Sequence, residues 1–425
     1  MSKRTPIMIL AAVLALTSLA AANGLNLNGL GTRSQAMGGA FVGIADDFSA
    51  VFWNPAGAAN FRQTTFGVYA VDLIPRATYR FFSEYTPASI DAKTKVSHYL
   101  GGLAAYYKPI SSRVVVGLGL GTPSGLGTMW DGADFVTTPG GTAYDLSSKV
   151  GVFSLSPLIA VKLNEWLSVG ATLNINKGNF NLKMPAGLAD LGEGTVDLGQ
   201  YEENMNGWGF GATFGVLAKP GDKLGIGLTV RTPSTVSFKG SARMSYLSLY
   251  GLADTSDLKR KITWPLWIAG GVSFRPIERL LLSADIHWTQ WSKLDRITTE
   301  YLDSVWAALM EASGSDVRTL LWEDKAQLRF GAEYLVNATT ALRAGYYNDP
   351  APGPDATLNV LLPSHTYNAF SIGVGKTIGD LQLDFGIEYL AGNTRTQYSE
   401  GYGWDGPPAY GMSIVVPSVS VSYKF

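Results

Sequence analysis

Apolar and polar residues alternate along much of the chain. In residues 325–334 (KAQLRFGAEY) and 381–389 (LQLDFGIEY) every second residue is apolar, and the same period recurs in residues 167–176, 224–231 and 280–288. A period of two is typical of β-strands, whose successive side chains point to opposite faces. The polar positions hold mainly Gly, Ser, Thr and Asn with isolated charges, unlike the mostly charged outer face of a soluble sandwich. The pattern therefore favours strands with one face toward lipid and one toward a polar lumen.

Fourteen segments of this kind are predicted between residue 64 and the last residue. Their ranges are 64–82, 98–108, 113–121, 147–163, 167–183, 207–219, 224–243, 259–275, 279–299, 325–337, 341–348, 365–378, 381–394 and 410–425. Long connections and short turns separate them in strict alternation, beginning with a long connection after the first strand. This arrangement is typical of outer-membrane β-barrels, whose short turns face the periplasm and whose long loops face outside.

No stretch after residue 22 sustains the roughly 20 apolar residues that a transmembrane helix needs. A hydrophobic exported chain can instead cross a membrane as a closed barrel, in which neighbouring strands satisfy every backbone N–H and C=O group. The predicted fold class is therefore all-β, a transmembrane antiparallel β-barrel of about 14 strands.

Both ends of the chain indicate export to the outer membrane of a Gram-negative bacterium. Two basic residues precede an apolar run over residues 7–19, and residues 20–22 are all alanine, which predicts a signal peptide over residues 1–22. The apolar run has 13 residues, too few for a membrane anchor. The last strand alternates up to a terminal Phe425, which resembles the signal that the barrel-assembly machinery recognises during insertion.

Between the signal peptide and the first strand lies a segment rich in Gly and Ala, residues 23–62. It ends in an aromatic and Asn-Pro cluster (FWNPAG) over residues 52–57. Small residues allow backbone to pack against backbone, and Pro55 disfavours a helical Asn54. The segment is predicted to form a compact, irregular hatch, or plug, inside the lumen of a barrel that comprises residues 63–425.

The sequence resembles the FadL/TodX (OmpP1) family of outer-membrane channels for long-chain fatty acids and hydrocarbons. Mature chains of that family open with a Gly-rich hatch that holds an Ala-Asp-Asp element and an Asn-Pro-Ala element. The matching residues here, in the same order, are Ala45, Asp46, Asp47, Asn54, Pro55 and Ala56. The resemblance implies capture of a ligand by extracellular loops, binding in an internal pocket gated by the hatch, and lateral exit through a kinked third strand.

The third predicted strand is the candidate lateral gate. It carries Gly117, Gly119 and Gly121 on one face, and Pro123 follows. Glycine permits a bulge and proline removes a ladder donor, so this strand can break its pairing and open the wall. Glycines that face the lumen can equally make room for the hatch, and the two interpretations are compatible.

Aromatic and apolar residues supply candidate ligand contacts. In the hatch they either line the inner pocket or hold the plug to the wall, and they are Phe41, Phe48, Phe52 and Trp53. In the loop over residues 301–310, a predicted amphipathic helix places on one face Leu302, Trp306 and Leu309. Exposed apolar loop residues are typical of binding sites, although lipid-edge anchoring and loop packing are alternatives.

Three arginines are predicted by the period of two to face the lumen: Arg231, Arg329 and Arg343. A guanidinium matches a carboxylate headgroup, so any of them is a candidate ligand-binding residue. Each can instead pair with an acidic residue of the barrel or hatch, and such pairing is expected for at least two of the three. A carboxylate-binding arginine is the feature that would separate a fatty-acid channel from a hydrocarbon channel.

Other functional classes find little support in the composition. The formal net charge is −1 from 33 basic and 34 acidic residues, or −3 (31 − 34) without Lys3 and Arg4, so no nucleic acid partner is predicted. Cysteine is absent and no metal-site spacing of His, Asp and Glu is found, so no metal or other cofactor is predicted. His287 lacks an accompanying Gly-x-Ser-x-Gly elbow, and an enzyme is not predicted.

The leading expectation is a passive outer-membrane channel for hydrophobic compounds, above all long-chain fatty acids. Uptake of aromatic hydrocarbons by the same mechanism is the first alternative, and a general diffusion porin, which has no use for a hatch, is the second. A barrel enzyme that acts on lipid through His287 is the third. Outer-membrane lipid and lipopolysaccharide are the other expected partners, and the chain is expected to be a monomer.

Overall fold

The computed structural model describes residues 24–83, 89–137, 139–190, 195–397 and 407–425, and the predicted signal peptide lies outside these ranges. The α-helices are α1 (Thr32–Ala36), α2 (Ala50–Trp53) and α3 (Ser304–Ala312). Short 3₁₀ helices cover Pro55–Asn60, Gly132–Phe135, Leu247–Tyr250, Trp291–Lys293 and Asp355–Thr357. Within the described ranges, none of these helices has the length and apolar character to cross a membrane.

Strands make up most of the described chain. They are β1 (Thr65–Phe82), β2 (Ser89–Lys93), β3 (Tyr99–Pro109), β4 (Val114–Trp130), β5 (Leu146–Lys162), β6 (Leu167–Pro185), β7 (Leu188–Asp190), β8 (Thr195–Asp197), β9 (Gln200–Ala218), β10 (Leu224–Arg231), β11 (Ser234–Met244), β12 (Thr255–Trp264), β13 (Trp267–Ile277), β14 (Leu280–Thr289), β15 (Arg296–Tyr301), β16 (Val317–Thr319), β17 (Lys325–Asn337), β18 (Thr340–Asp349), β19 (Tyr367–Ile378), β20 (Leu381–Gly392), β21 (Arg395–Thr396) and β22 (Ala409–Lys424).

Antiparallel pairing closes these strands into a barrel. β1 pairs with the last strand, β22, and with β3 on its other edge. The ring then runs through β4, β5, β6, β9, β10 with β11, β12 with β13, β14, β17, β18, β19 and β20 back to β22, which makes fourteen positions. The seventh and eighth positions are each split next to a proline, Pro233 and Pro265, which has no N–H to donate to the ladder. The predicted 14-stranded barrel is confirmed.

The two faces of the strands have the polarity that the period of two predicts. On β17, Phe330 and Tyr334 are exposed on the outside, whereas Arg329 and Glu333 are buried. Exposed apolar side chains alternate with buried polar ones on β20 as well. An apolar outer band around a polar interior is the arrangement of a transmembrane barrel and the reverse of a soluble one.

Two strands are longer than the sequence pattern predicts. β4 continues to Trp130 rather than ending at residue 121, and β9 begins at Gln200 rather than at residue 207. Both extensions pair with a neighbouring strand, β5 and β6 respectively. The alternation of apolar and polar residues does not predict the start of β9, because the outward side chains there, such as Glu202, are polar. The loss of the apolar face indicates that this part of the strand rises beyond the lipid band.

Residues 24–60, here called the N-terminal segment, pack against inward-facing residues of the barrel strands. With four exceptions, residues 30–59 are buried. The contact is backbone to backbone at wall glycines: a Cβ atom added at Gly345 would lie 1.9 Å from the nitrogen of Gly38. One added at Gly170 would lie 2.4 Å from the carbonyl carbon of Pro55. The many small residues of the segment and the wall allow this approach.

Gly38→Ala is expected to loosen the N-terminal segment. Gly38 has φ +64°, and an added Cβ would lie 2.8 Å from backbone atoms of Phe330 and Tyr346. The left-handed conformation alone costs an L residue about 1–2 kcal/mol, and the overlap adds to it. Thermal unfolding of the purified protein should therefore begin at a lower temperature, with new protease cleavage within residues 30–60. Gly140→Ala is the matched control, because Gly140 has φ +76° but an added Cβ would meet no atom within 4 Å. An equal decrease of the unfolding temperature in both variants would contradict close packing around Gly38.

Candidate functional site

The Asn-Pro-Ala element fixes the conformation of the N-terminal segment. The side-chain oxygen of Asn54 accepts a hydrogen bond from the N–H of Ala56 (3.1 Å) and caps the 3₁₀ helix that begins at Pro55. Its amide nitrogen donates to the carbonyl oxygens of Val42 (3.0 Å) and Val216 (2.9 Å). One side chain thus joins a turn, an earlier part of the segment and strand β9.

The Ala-Asp-Asp element also makes local contacts. Ala45 has a left-handed backbone, with φ 36°. Asp47 accepts hydrogen bonds from the N–H (2.8 Å) and the hydroxyl group (2.6 Å) of Ser49. Asp46 forms an ion pair with Arg33 at 2.5 Å. Burial raises the pKa of Asp47; burial acts in the same direction at Asp46, but the charge of Arg33 outweighs it and lowers the pKa of Asp46.

Five charged side chains join the N-terminal segment to the wall, and we call them the ion network. Arg33 lies between Asp46 at 2.5 Å and Glu333 of β17 at 2.7 Å. Glu333 also accepts from Arg343 of β18 at 2.7 Å, and Arg343 reaches Asp384 of β20 at 2.6 Å. Arg343, a candidate for headgroup binding, is therefore held between two carboxylates of the wall.

The aromatic residues of the segment pack among themselves and against the wall. Phe41 meets Trp53 edge to face at 6.4 Å, and the Trp53 indole N–H donates to the carbonyl oxygen of Leu30 (2.9 Å). Phe41, Phe48 and Trp53 are buried and line none of the cavities described below. Of the four candidate aromatics, Phe52 does border a cavity.

Strand β4 loses one of its two partners halfway along. It pairs with β3 only as far as Leu103↔Gly121, and its pairing with β5 resumes at Ser124 after an irregularity that includes Pro123. The wall between β3 and the far half of β4 therefore lacks a regular hydrogen-bonded ladder. This interruption coincides with the glycine and proline positions of the third predicted strand.

The glycines of β4 face inward and admit neighbouring side chains. A Cβ atom added at Gly119 would lie 2.9 Å from the Val51 side chain, and one at Gly117 would lie 2.7 Å from the Tyr107 ring. A Cβ at Gly121 would approach Leu103 at 3.0 Å. Space for the N-terminal segment and a break in the ladder therefore occur on the same strand.

Three residues near the start of the described chain occupy the edge of β4 that β3 leaves. The N–H of Leu27 donates to the carbonyl oxygen of Pro123 at 3.1 Å. Asn26 forms an antiparallel bridge with Ser124, whose hydroxyl group donates to the carbonyl oxygen of Leu25. These residues take the place of the missing strand over a short distance.

Three cavities meet at residues 24–27. The loop cavity lies under α3 and β16 and is bordered by Leu25, and the central cavity lies against β4, β5 and β6 and is bordered by Asn26. The gap cavity lies beside the β4 interruption, among β1, β18, β20 and β22, and is bordered by Gly24, Asn26 and Leu27. Their empty volumes, openings included, are about 740, 790 and 900 Å³. The first described residues thus separate the three spaces.

Two further candidate arginines lie in different surroundings. Arg329 is buried and donates to the side chain of Gln327 (2.7 Å) and to the carbonyl oxygen of Gly38 (3.1 Å), so it supports the N-terminal segment. Arg231 borders the central cavity between the rings of Phe52 and Trp267, at 4.6 and 4.8 Å. Its guanidinium donates one hydrogen bond, to the carbonyl oxygen of Phe52 (3.0 Å), and no carboxylate of the described residues pairs with it.

A fourth arginine, which the sequence period does not single out, borders the loop cavity. Arg318 lies in β16, and its side chain has no hydrogen-bond or ion-pair partner among the described residues. Burial and the nearby charge of Arg260 lower the pKa of the Arg318 guanidinium. Arg260 itself is paired with Glu203 (2.9 Å) and donates to Thr299 (3.0 Å). The loop cavity is therefore bordered by one paired cation, Arg260, and by one cation without a partner among the described residues, Arg318.

The predicted loop helix is present as α3, but its apolar residues do not form one exposed patch. Trp306 is fully buried, and its indole N–H donates to the carbonyl oxygen of Ala253 (2.8 Å). Leu302 is exposed, whereas Leu309 is partly buried. Of the alternatives for this helix, loop packing describes Trp306, because its ring fills the interior of the loop layer. The face of α3 that borders the loop cavity does so through Met310.

His287 takes part in a structural contact on β14. It is buried beside Trp53, with its ring 3.3 Å from the carboxylate of Asp285. Asp285 accepts hydrogen bonds from the N–H groups of Phe41 and Val42, both at 2.8 Å. Over the described part of the chain, no three or more His, Asp or Glu side chains are grouped as metal ligands.

The closed barrel with an apolar outer band, an interior of mixed polar and apolar side chains and a series of cavities defines an outer-membrane-type β-barrel channel. Residues 12–423 match the family described as outer membrane protein transport protein (OMPP1/FadL/TodX). The chain belongs to this family. The family resemblance predicted from the Ala-Asp-Asp and Asn-Pro-Ala elements is therefore confirmed. The family and the fold are those of channels and transporters.

Relatives and solved structures agree with this assignment. The chain is 24% identical to the 47 kDa outer membrane protein of Pasteurella multocida, over 100% of this chain and 99% of that protein. It is 22% identical to the long-chain fatty acid transport protein of Escherichia coli, over 87% of each. The fold matches a Pseudomonas aeruginosa FadL homologue with a TM-score of 0.73 at 16% identity, covering 95% and 100% of the two chains. It matches the P. putida toluene transporter TodX with a TM-score of 0.70 at 18% identity, covering 94% and 99%.

Arg33→Met is expected to destabilise the protein strongly. The substitution leaves Glu333 with one cation instead of two and Asp46 with none of its present partners, and breaking a buried ion pair typically costs about 3–5 kcal/mol. The midpoint of urea unfolding, followed by tryptophan fluorescence in phospholipid vesicles, should fall accordingly. Arg80→Met is the control, because Arg80 and Asp91 form an exposed pair whose loss costs about 0–1 kcal/mol. A midpoint that Arg33→Met leaves unchanged would show that the ion network does not hold the segment.

Proposed function

We propose that the protein is a passive outer-membrane channel for hydrophobic compounds, with long-chain fatty acids as its principal ligands. In this proposal the N-terminal segment is the hatch that closes the lumen, and residues 1–22 are a signal peptide removed on export. The backbone contacts at Gly38 and Gly345 and the ion network support the hatch assignment.

The observation that carries the choice of fatty acids is the unsatisfied guanidinium of Arg318 in the loop cavity. Arg318 is partly buried. A partly desolvated cation without a partner is unfavourable, and a carboxylate ligand would relieve that cost with charge-assisted hydrogen bonds. Apolar side chains such as Phe180, Ile262 and Met310 line the same cavity and offer contacts for an acyl chain. Cation and apolar wall together match an amphiphile with a carboxylate headgroup.

The proposed route leads from the loop cavity to the gap cavity. Residues 24–27 separate these spaces, so they must move for a ligand to pass. They are paired to β4 through the Asn26–Ser124 bridge and the hydrogen bond from Leu27 to Pro123, a contact much shorter than a barrel ladder, which suits a movable element. The wall beside the gap cavity lacks a β3–β4 ladder, which favours lateral exit into the membrane. Such an exit keeps an acyl chain in apolar surroundings. Burial away from water stabilises the chain by about 0.8 kcal/mol per CH₂ group.

Aromatic hydrocarbons remain the second candidate class of ligand. The central cavity is bordered by Phe52, Trp264 and Trp267, whose rings suit a flat apolar molecule. Arg231 lies between two of these rings and presents a cation to that space. An aromatic ligand would use this cavity without needing Arg318.

Transport and gating can be tested on one pair of proteins. The full chain should show almost no ion current in planar bilayers and no uptake of a small sugar, yet it should support uptake of a labelled long-chain fatty acid by cells that lack their own channel. Deletion of residues 33–60 should open a large current, because it removes the hatch from the lumen. Free conduction of ions by the full chain, without fatty acid uptake, would instead identify a porin. Heat-modifiable migration in gels verifies that the deletion variant is folded.

Arg318→Met is expected to lower the affinity for dodecanoate roughly ten- to hundredfold, since a hydrogen bond to a charged group contributes about 1.5–3 kcal/mol. Affinity for toluene, which has no headgroup, should stay within a factor of about two. Calorimetric titration of the purified protein measures both. Arg296→Met is the matched control in the same loop region, because Arg296 is exposed and paired with Asp295. Equal affinities for dodecanoate in wild type and Arg318→Met would remove the case for fatty acids.

A further inference from the structure

The central cavity is bordered by a single charged side chain. Among the described residues that line it, Arg231 is the one arginine, and no lysine, aspartate or glutamate accompanies it. The remaining lining residues are aromatic, aliphatic or polar without charge. An anion that enters this space would therefore meet one cation and no carboxylate.

Two aromatic rings flank the Arg231 guanidinium. Its central carbon lies 4.6 Å from the ring centre of Phe52 and 4.8 Å from that of Trp267. Contacts of this kind restrain the position of a cation, but they supply no lone pair to its N–H groups. A guanidinium has five N–H donors, and one of those of Arg231 donates to the carbonyl oxygen of Phe52 at 3.0 Å. Its other donors have no hydrogen-bond acceptor among the described residues.

The polar groups of the lining pair with one another and not with Arg231. The hydroxyl group of Ser156 donates to the side-chain oxygen of Asn174 (3.0 Å), and the Asn174 amide nitrogen donates to the hydroxyl group of Thr213 (2.9 Å). Arg231 itself is partly buried. A partly desolvated guanidinium with unused donors is stabilised by an anionic acceptor, and a carboxylate matches its planar fork.

A third aromatic ring, that of Trp264, borders the same cavity. Its indole N–H donates to the hydroxyl group of Ser124 on β4 at 3.1 Å. The bonded N–H fixes the position of the ring, which thereby offers a rigid apolar surface. Aromatic ligands pack on such rings through offset stacking or edge-to-face contacts, which a saturated ring or a flexible chain cannot make.

We propose that the central cavity binds aromatic carboxylates. The carboxylate accepts hydrogen bonds from the unused N–H groups of Arg231, and the aromatic ring of the ligand packs against Phe52, Trp264 and Trp267. An inorganic anion would leave these rings without a contact, and a hydrocarbon would leave the guanidinium without one. The proposal rests on the proposed channel function and adds an anionic class to its aromatic ligands.

Arg231 also has a structural contact, because its hydrogen bond to Phe52 joins the N-terminal segment to β10. That contact uses one donor and leaves the others to a ligand. A residue with a structural role alone would affect stability, or the affinity for all ligands of the cavity equally. The preference between a charged ligand and a neutral ligand of the same shape therefore separates the two roles.

Three probes of similar size test the proposal: 4-propylbenzoate, 4-propylbenzamide and 4-propylcyclohexanecarboxylate. The amide lacks the charge, and the saturated acid lacks the flat ring. Calorimetric titrations of the purified protein are made in the Arg318→Met background, so that no acid binds through that cation. The benzoate is expected to bind at least about tenfold more tightly than the amide. It should bind about threefold or more tightly than the saturated acid.

Arg231→Met should abolish the preference for the benzoate over the amide and leave the affinity for the amide within a factor of about two. Arg231→Lys keeps the charge but not the planar fork, so it should retain part of the preference. Arg243→Met is the matched control, because Arg243 of β11 is exposed and paired with Asp254 at 3.2 Å. The preference should not change in this variant.

Equal affinities for the benzoate and the amide, or a preference that survives Arg231→Met, would overturn the proposal. A loss of affinity for the amide as large as that for the benzoate would also overturn it, because Arg231 would then only support the rings. Equal binding of the saturated acid would refute the aromatic class of ligand. Failure of dodecanoate to bind the wild-type protein would instead refute the proposed function, whichever result the benzoate gives.

Discussion

The ion network is the interaction on which the arrangement of the interior depends. Charges removed from water are costly unless each has partners, and here carboxylates and guanidiniums alternate from Asp46 to Asp384. The wall alone would place two carboxylates, Glu333 and Asp384, on the single guanidinium of Arg343. Arg33 of the N-terminal segment gives Glu333 a guanidinium of its own, so Glu333 and Asp384 need not share Arg343 when the segment is in place.

The same reasoning separates structural charges from those that can bind a ligand. Arg343 lies between two carboxylates, and Arg329 donates its hydrogen bonds to carbonyl and amide oxygens of the segment and the wall. Arg318 has no such partner among the described residues. The paired charges hold the N-terminal segment to the wall, whereas the guanidinium of Arg318 is available to a ligand.

Much of the fold follows from the sequence because lipid imposes a strict alternation on membrane-spanning strands. The alternation on β17 and β20 predicts both their extent and their polarity, and the Asn-Pro-Ala element identifies the family. The sequence period says nothing about Arg318, which lies in a three-residue strand within a long loop where neither lipid nor a core imposes a pattern. The surroundings of Trp306 could not be predicted for the same reason: an amphipathic loop helix shows which residues share a face, but not whether that face meets solvent or another loop.

The tight fit between Gly38 and Gly345 has a consequence for how such proteins can be recombined. Two backbones touch here with no side chain between them. A larger residue on either side can therefore be accommodated only if the other backbone moves away. An N-terminal segment taken from a relative with a different pattern of small residues would not pack against this wall, even if both parts folded well in their own chains. Engineering of a new selectivity is therefore better begun in the cavity linings, which are free to change, than by exchange of whole domains.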